Sequence, residues 1–202
     1  MRFVLASQSP ARLAVLRAAG VEPVVRVSGV DEDALAASLT DPTPEELVTA
    51  LATAKAEVVA GDQVEEAVVV GCDSMLRTAD GEVHGKPGTV EAARERWKKM
   101  AGTTGVLLTG HAVLRVRDGL VVARASGHEA TSVRFGNPTD DELEAYLATG
   151  EPLGVAGAFT LDGLGAWFVD GIDGDPSSVI GISLPLTRKL LRQVDVAVSD
   201  IW

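Results

Sequence analysis

Three cations and two carboxylates stand in settings that suit chemistry on an anion. Ser7-Gln8-Ser9-Pro10-Ala11-Arg12 puts two hydroxyls and a guanidinium where an apolar run gives way to a helix start. Free backbone N–H groups and the helix dipole make such a turn a place for an anion. Asp73 follows the apolar run Val68-Val69-Val70. A carboxylate at a strand end can bind a metal or accept a proton. Glu32 is a candidate second carboxylate, with Asp31 and Asp33 as competitors. Two carboxylates suit Mg²⁺ or Mn²⁺ better than zinc. Lys55 lies on an Ala-rich helical stretch, and Lys86 sits in the loop Gly85-Lys86-Pro87-Gly88. Lysine binds phosphate as a point charge, and a glycine loop lets backbone approach a ligand.

Each residue also has a plainer reading. Ser9-Pro10 alone makes a well-capped surface helix with a solvated Arg12. Asp73 alone is a turn residue or cap, and an acidic stretch is a solvated loop. A lysine is by default a surface charge, and Glu57 is near enough to Lys55 to suggest a salt-bridged helix surface. His84, His111 and His128 have no ligand spacing and read as structural or exposed. P-loop, G-x-S-x-G, H-E-x-x-H and paired C-x-x-C patterns are absent.

The elements that must position these residues follow from caps and periodicity. Arg2 to Ala6 reads as a short buried strand, followed by a helix from Ser9-Pro10 to about Ala19 that Gly20 stops. Val24 to Val27 reads as a second strand. Thr43-Pro44-Glu45-Glu46 is a capping box, and the helix after it has Leu47, Leu51, Ala54 and Val58 at helical spacing. Ala67 to Val70 reads as a strand ending in Gly71-Cys72-Asp73-Ser74. Met75 to Arg77 and Glu82 to Val83 suit a hairpin around Asp80-Gly81. A basic helix runs from Thr89 to Met100. Val106 to Arg117 and Leu120 to Phe135 read as long strands joined by Asp118-Gly119. Thr139 to Glu142 is another capping box, opening a helix that ends at Gly150. Glu151 to Gly181 reads as loops and short strands, and a last helix spans about Leu184 to Val194. The order predicts a mixed α/β fold with an antiparallel component.

The chain has 202 residues, which suits one domain over 1–202 or two packed lobes. Hydrophobic residues make up 46% and aromatics only 4%, so the core is expected to be built from Ala, Val and Leu. The net charge of −11 argues against binding duplex nucleic acid. It leaves room for a small anionic substrate, because a few cations can dominate the field of a cleft. The lone Cys72 has no disulfide partner, and no apolar stretch has the length of a signal core or a membrane span. A cytoplasmic protein with no membrane association is expected.

The order of these pieces resembles a known family. LASQSPARLAVLRAAG is similar to the Maf signature L-A-S-x-S-P-x-R before an apolar helix. Glu32, LATAKA around Lys55, GCDS around Asp73 and GKP around Lys86 follow at Maf-like intervals. TGEPLGVAGAFTLDGLGAWF and GDPSSVIGISLP resemble two later Maf segments, so the resemblance covers essentially the whole chain. It implies an α/β fold of the Maf and inosine-triphosphatase-like type: a mixed elongated sheet flanked by helices, with two lobes around a deep cleft. It implies a hydrolase of nucleotide metabolism that cuts nucleoside triphosphates between the α and β phosphates, releasing monophosphate and pyrophosphate. Asp73 then matches the proton acceptor and metal neighbour, and Glu32 the metal-side carboxylate for Mg²⁺ or Mn²⁺. Arg12, Lys55 and Lys86 match phosphate-binding cations, and Ser7 and Ser9 the anion-binding turn.

Ala11, Ser74 and Asp162 fall at positions the family links to base preference. Many Maf proteins carry Arg at the first, and many dTTP- and UTP-preferring members carry Thr and Gln at the other two, so this chain does not fit that branch cleanly. Gly105 replaces a frequent His, and Ser183 is an extra residue before Leu184-Pro185. The competing functions are a house-cleaning hydrolase for modified nucleotides and a binding protein acting in cell-division arrest. A homodimer is expected by base rate and by family.

Overall fold

The strand that Ala67–Val70 begins does not end at Gly71-Cys72-Asp73-Ser74. In the computed structural model, which describes residues 1–63 and 65–202, strand β3 runs Ala67–Arg77. It lies between β1 (Arg2–Leu5) and β5 (Thr104–Arg117). Residues 67 to 73 are all buried. A strand covered on both sides continues through polar residues when its neighbours satisfy them. Asp73 is therefore inside a strand, not at its end.

The chain packs as two compact units. Unit 1 comprises Met1–Asp73, Thr109–Glu129 and Gly181–Trp202; unit 2 comprises Ser74–Leu108 and Ala130–Ile180. In unit 1 the strand order is β2 (Val24–Val25), β1, β3, β5, β6 (Leu120–Phe135). β1 pairs parallel with both neighbours, Val4 opposite Val24 and Val69. Asp118 and Gly119, at φ +51° and +74°, make the expected hairpin turn between β5 and β6.

Strand alternation divides the core of unit 1. Phe3, Leu5, Val68 and Val70 pack with Leu16 of α1 (Pro10–Ala18) and with Leu190 and Leu191 of α7 (Leu184–Gln193). Val4, Ala6, Ala67 and Val69 face Ala52, Ala56 and Val59 of α3 (Pro44–Gly61). Helix α3 opens with the expected capping box at Thr43 and Glu46. Its buried face is not the expected one. Val48, Leu51, Ala52, Lys55, Ala56, Val59 and Ala60 are buried, whereas Val58 is 49% exposed. The helix is apolar nearly all round, so periodicity does not choose the face. Glycines choose it. A methyl group at Gly71 would overlap the Ala52 carbonyl, and one at Gly110 the Val48 carbonyl. The helix backbone thus rests directly on β3 and β5.

Unit 2 holds α4 (Val90–Met100), α5 (Asp140–Ala148), α6 (Pro176–Ile180), β4 (Val83–His84), β7 (Val169–Asp173) and short 3₁₀ turns between Glu151 and Phe168. β4 pairs with β3 across the expected turn, Leu76 opposite His84. β7 pairs antiparallel with the end of β6. The sheet is mixed, as the element order predicted, and flanked by helices, as the family resemblance implied. An aliphatic core was expected throughout, but unit 2 has an aromatic one. Trp97 meets Phe135, Tyr146 and Phe168 edge to face, with centroids 5.8 to 6.3 Å apart. The aromatics are few but concentrated. No helix among the described residues is long and apolar enough to cross a membrane.

Candidate active site

Asp73 shares strand parity with Ala67, Val69 and Gly71, the side on which α3 rests. That side brings it to Lys55, one of the buried positions of the helix. The Lys55 ammonium donates to Asp73 Oδ1 at 2.6 Å. The same Nζ lies 2.6 Å from Glu32 Oε1. Lys55 and Asp73 are only 9% and 7% exposed, while the Glu32 side chain is half exposed. Glu57 does not pair with Lys55; it lies 3.8 Å from Arg124.

A helix sends the three acidic residues in different directions. Glu32 is the first residue of α2 (Glu32–Ser38), where a loop was expected. Asp31 is its N-cap and accepts from the Ala34 N–H at 2.9 Å. Asp33 is exposed. Glu32 alone turns to Lys55.

Burial pushes the Asp73 carboxyl above its ordinary range. Lys55 and then Arg12 pull it back, and the charge of Glu32 adds to the push. Burial also raises the neighbouring free thiol, Cys72, to about 11.

The turn before α1 forms as predicted, and its hydroxyls have specific work. Ser9 caps the helix, its Oγ accepting from the Arg12 N–H at 3.4 Å. Ser7, 8% exposed, accepts from Arg12 Nη1 at 3.0 Å and from the Ser9 N–H at 3.2 Å. Arg12 Nε donates to the Gly181 carbonyl at 2.7 Å. Gly181 has φ +128°, a conformation side-chain-bearing residues avoid, and a methyl there would come within 3.2 Å of Arg12 Nε. Gly181 is thus a site residue that spacing did not reveal, though it lies in the quoted segment GDPSSVIGISLP. Ala11 is half-buried in the first turn of α1.

Beside Gly181, His111 has the structural role expected of it. Its Nε2 accepts from the Ser183 N–H at 2.8 Å, so the proton sits on Nδ1, which donates to the Thr109 carbonyl at 3.0 Å. Ser183 in turn caps α7, accepting from the Leu186 N–H at 3.1 Å.

The other three candidates belong to unit 2. Ser74 is half-buried on β3, next in sequence to Asp73, and Lys86 and Asp162 are exposed. Asp162 rides on a loop that Glu151 closes. The Glu151 carboxylate accepts from Thr160 Oγ1 at 2.5 Å, Gly165 N–H at 3.1 Å and Leu164 N–H at 3.2 Å. Burial opposes ionisation there, but these hydrogen bonds outweigh it and hold the Glu151 carboxyl below its ordinary range. Glu151 falls in the quoted segment TGEP without any sign of this role in its spacing.

None of the candidates lines the 710 Å³ groove of unit 1, which runs along the face of α3 opposite Lys55, past Glu46, Thr49, Thr53 and Glu57.

The described residues gather no group of three His, Cys, Asp or Glu that would cage a metal. Glu32 and Asp73 instead converge on one cation, the Lys55 ammonium. Magnesium is commonly held by one or two carboxylates, with water and substrate phosphate completing its shell. Glu32 and Asp73 fit that donor set.

The mixed α/β fold, with a carboxylate pair around a buried lysine beside a held arginine, defines a candidate phosphate-handling site. The sequence profile of the family described as Maf-like protein matches residues 2–194, and the chain belongs to that family. A protein of Saccharopolyspora erythraea named nucleoside triphosphate pyrophosphatase is 68% identical over 205 residues, covering 100% of this chain and 97% of its own. One of the same name from Rhodococcus opacus is 66% identical, covering 99% and 95%. Another from Mycolicibacterium gilvum is 56% identical, covering 100% and 98%.

Proposed function

We propose that this chain is a nucleoside triphosphate pyrophosphatase, hydrolysing the α–β phosphoanhydride to nucleoside monophosphate and pyrophosphate. Family membership and the shared name of the relatives support the activity. The observation that carries the site is the buried Lys55–Asp73 pair with Glu32 on the same ammonium.

The charges argue for a metal. Two carboxylates around one ammonium leave a net negative point when both have lost their protons, and that would repel a triphosphate. Mg²⁺ or Mn²⁺ held by Glu32 and Asp73 would reverse that sign and neutralise charge on the phosphate oxygens. Asp73 takes a proton from the attacking water. The water oxygen bonds to the α phosphorus, and the bond from that phosphorus to the α–β bridging oxygen breaks. Pyrophosphate leaves with the bonding electrons. Lys55 favours the ionised form of Asp73 and fixes its carboxylate in place. Ser7 and the Gly181 carbonyl hold the Arg12 guanidinium flat for phosphate, a preorganised contribution that costs no reorganisation during reaction.

Phosphate contact by Lys86, and reading of the base by Ala11, Ser74 and Asp162, rest on the family resemblance. An ionised Asp162 accepts hydrogen bonds and does not donate them, so it suits a base amino or imino group. The buried free Cys72 suits a reducing compartment, which is the cytoplasm in this reading.

Asp73→Asn keeps the shape of the side chain and removes the proton acceptor. It should lower pyrophosphate release by at least about 100-fold, with the circular dichroism spectrum unchanged. Near wild-type release from this variant would remove Asp73 from the mechanism.

A further inference from the structure

We infer that Arg96 is a positioning residue for Lys86, holding the loop Gly85–Gly88 through hydrogen bonds to its backbone carbonyls. The inference rests on the phosphate contact assigned to Lys86 above. Arg96 Nη1 donates to the Gly85 carbonyl at 2.6 Å, and Nη2 lies 3.5 Å from the Lys86 carbonyl. The Gly85 carbonyl also accepts from the Gly157 N–H at 3.2 Å, and the Gly88 N–H donates to the Leu153 carbonyl at 3.2 Å. The loop is therefore tied at both ends to the segment after Glu151, and to α4 by Arg96.

The other cations of α4 behave differently. Arg94 pairs with Glu144, Lys98 with Glu95 and Lys99 with Glu82. Among the described residues no carboxylate pairs with Arg96. It is half-buried, and burial alone weakens its hold on its proton. A partly desolvated guanidinium needs hydrogen-bond acceptors, and the ones it faces are the carbonyls on either side of the Lys86 Cα. A charge-assisted bond is about twice as strong as a neutral one. That strength has a use here. Gly85 and Gly88 have no side chains to restrict the loop backbone, and Lys86 is exposed on a long flexible stem. Fixing the loop removes part of the entropy that Lys86 would lose on meeting a phosphate.

The test is a double-mutant cycle on pyrophosphate release from a nucleoside triphosphate panel with Mg²⁺, using Arg96→Ala, Lys86→Ala and the double variant. Arg96→Ala should lower kcat/KM about ten-fold, with a melting temperature close to wild type. Arg96→Lys, which can still reach the Gly85 carbonyl, should recover most of that loss. On the Lys86→Ala background, Arg96→Ala should cost less than about two-fold, because the residue it positions is gone. An equal cost on both backgrounds, or wild-type kinetics for Arg96→Ala, would overturn the inference while leaving Lys86 in its role. Wild-type turnover by Lys86→Ala would instead remove the phosphate contact, and the role of Arg96 with it. Should Arg96→Ala fail to fold, Arg96→Met keeps the apolar stem and serves in the same cycle.

Discussion

Asp73 is under two opposed pressures. Burial favours its protonated form, and the ammonium 2.6 Å away favours the carboxylate. Burial wins, so its pKa lies above the ordinary aspartate value. A carboxyl that holds its proton more tightly in the folded chain stabilises the fold below its unfolded pKa. That contribution is lost as pH rises through the folded pKa. Wherever Asp73 is ionised it is thus a local cost that the site bears, and Lys55 is the largest influence reducing it. Lys55→Met should therefore move the Asp73 titration to higher pH. Carboxyl ¹³C NMR of the free protein reads the shift directly. A titration that stays in place or moves down would mean that Lys55 does not act on Asp73 as its position indicates.

Elements differ in how much of themselves they show in sequence. Helix starts are local, and Ser9, Thr43 and Thr139 cap as their spacing predicts. The Asp118-Gly119 turn is local too. The end of β3 was hidden because pairing on both sides, set by distant chain, carries the strand past its apolar run. The face of α3 was hidden because an Ala-rich helix has little direction of its own. The site divides the same way. The motif order pointed to Arg12, Lys55 and Asp73, whereas the carbonyl that holds Arg12 is 169 residues away in sequence. Gly71 is the clearest case of a small residue deciding a large placement. Gly71→Ala would drive a methyl into the Ala52 carbonyl and lift α3, taking Lys55 with it. Overpacking of this kind costs about 1–3 kcal/mol. Urea unfolding should show that loss, and turnover should fall further than the loss of folded protein explains. An unchanged midpoint would mean that α3 does not rest on β3 as described.

At the scale of the whole molecule, the charge balance ties the proposed substrate to the proposed metal. The chain carries 18 basic and 29 acidic residues, and a triphosphate is itself a polyanion. The one buried cation of the site already answers to two carboxylates. A non-hydrolysable triphosphate alone therefore meets repulsion at long range and a net negative point at Glu32 and Asp73. With Mg²⁺ the same ligand arrives with much of its charge neutralised, and both carboxylates become attractive. Binding to the folded state alone stabilises it by about 2.7 kcal/mol at 100 times the dissociation constant. For a chain of this size each kcal/mol moves the melting temperature by about 2–4 °C. Scanning calorimetry should then show a rise of about 5–10 °C with ligand and Mg²⁺ together, and little with ligand plus a chelator. Raising ionic strength should narrow the gap between the two, since screening weakens the repulsion that the metal offsets. Equal stabilisation with and without the metal would mean that the protein's own cations hold the triphosphate unaided, and that Glu32 and Asp73 are not its metal ligands.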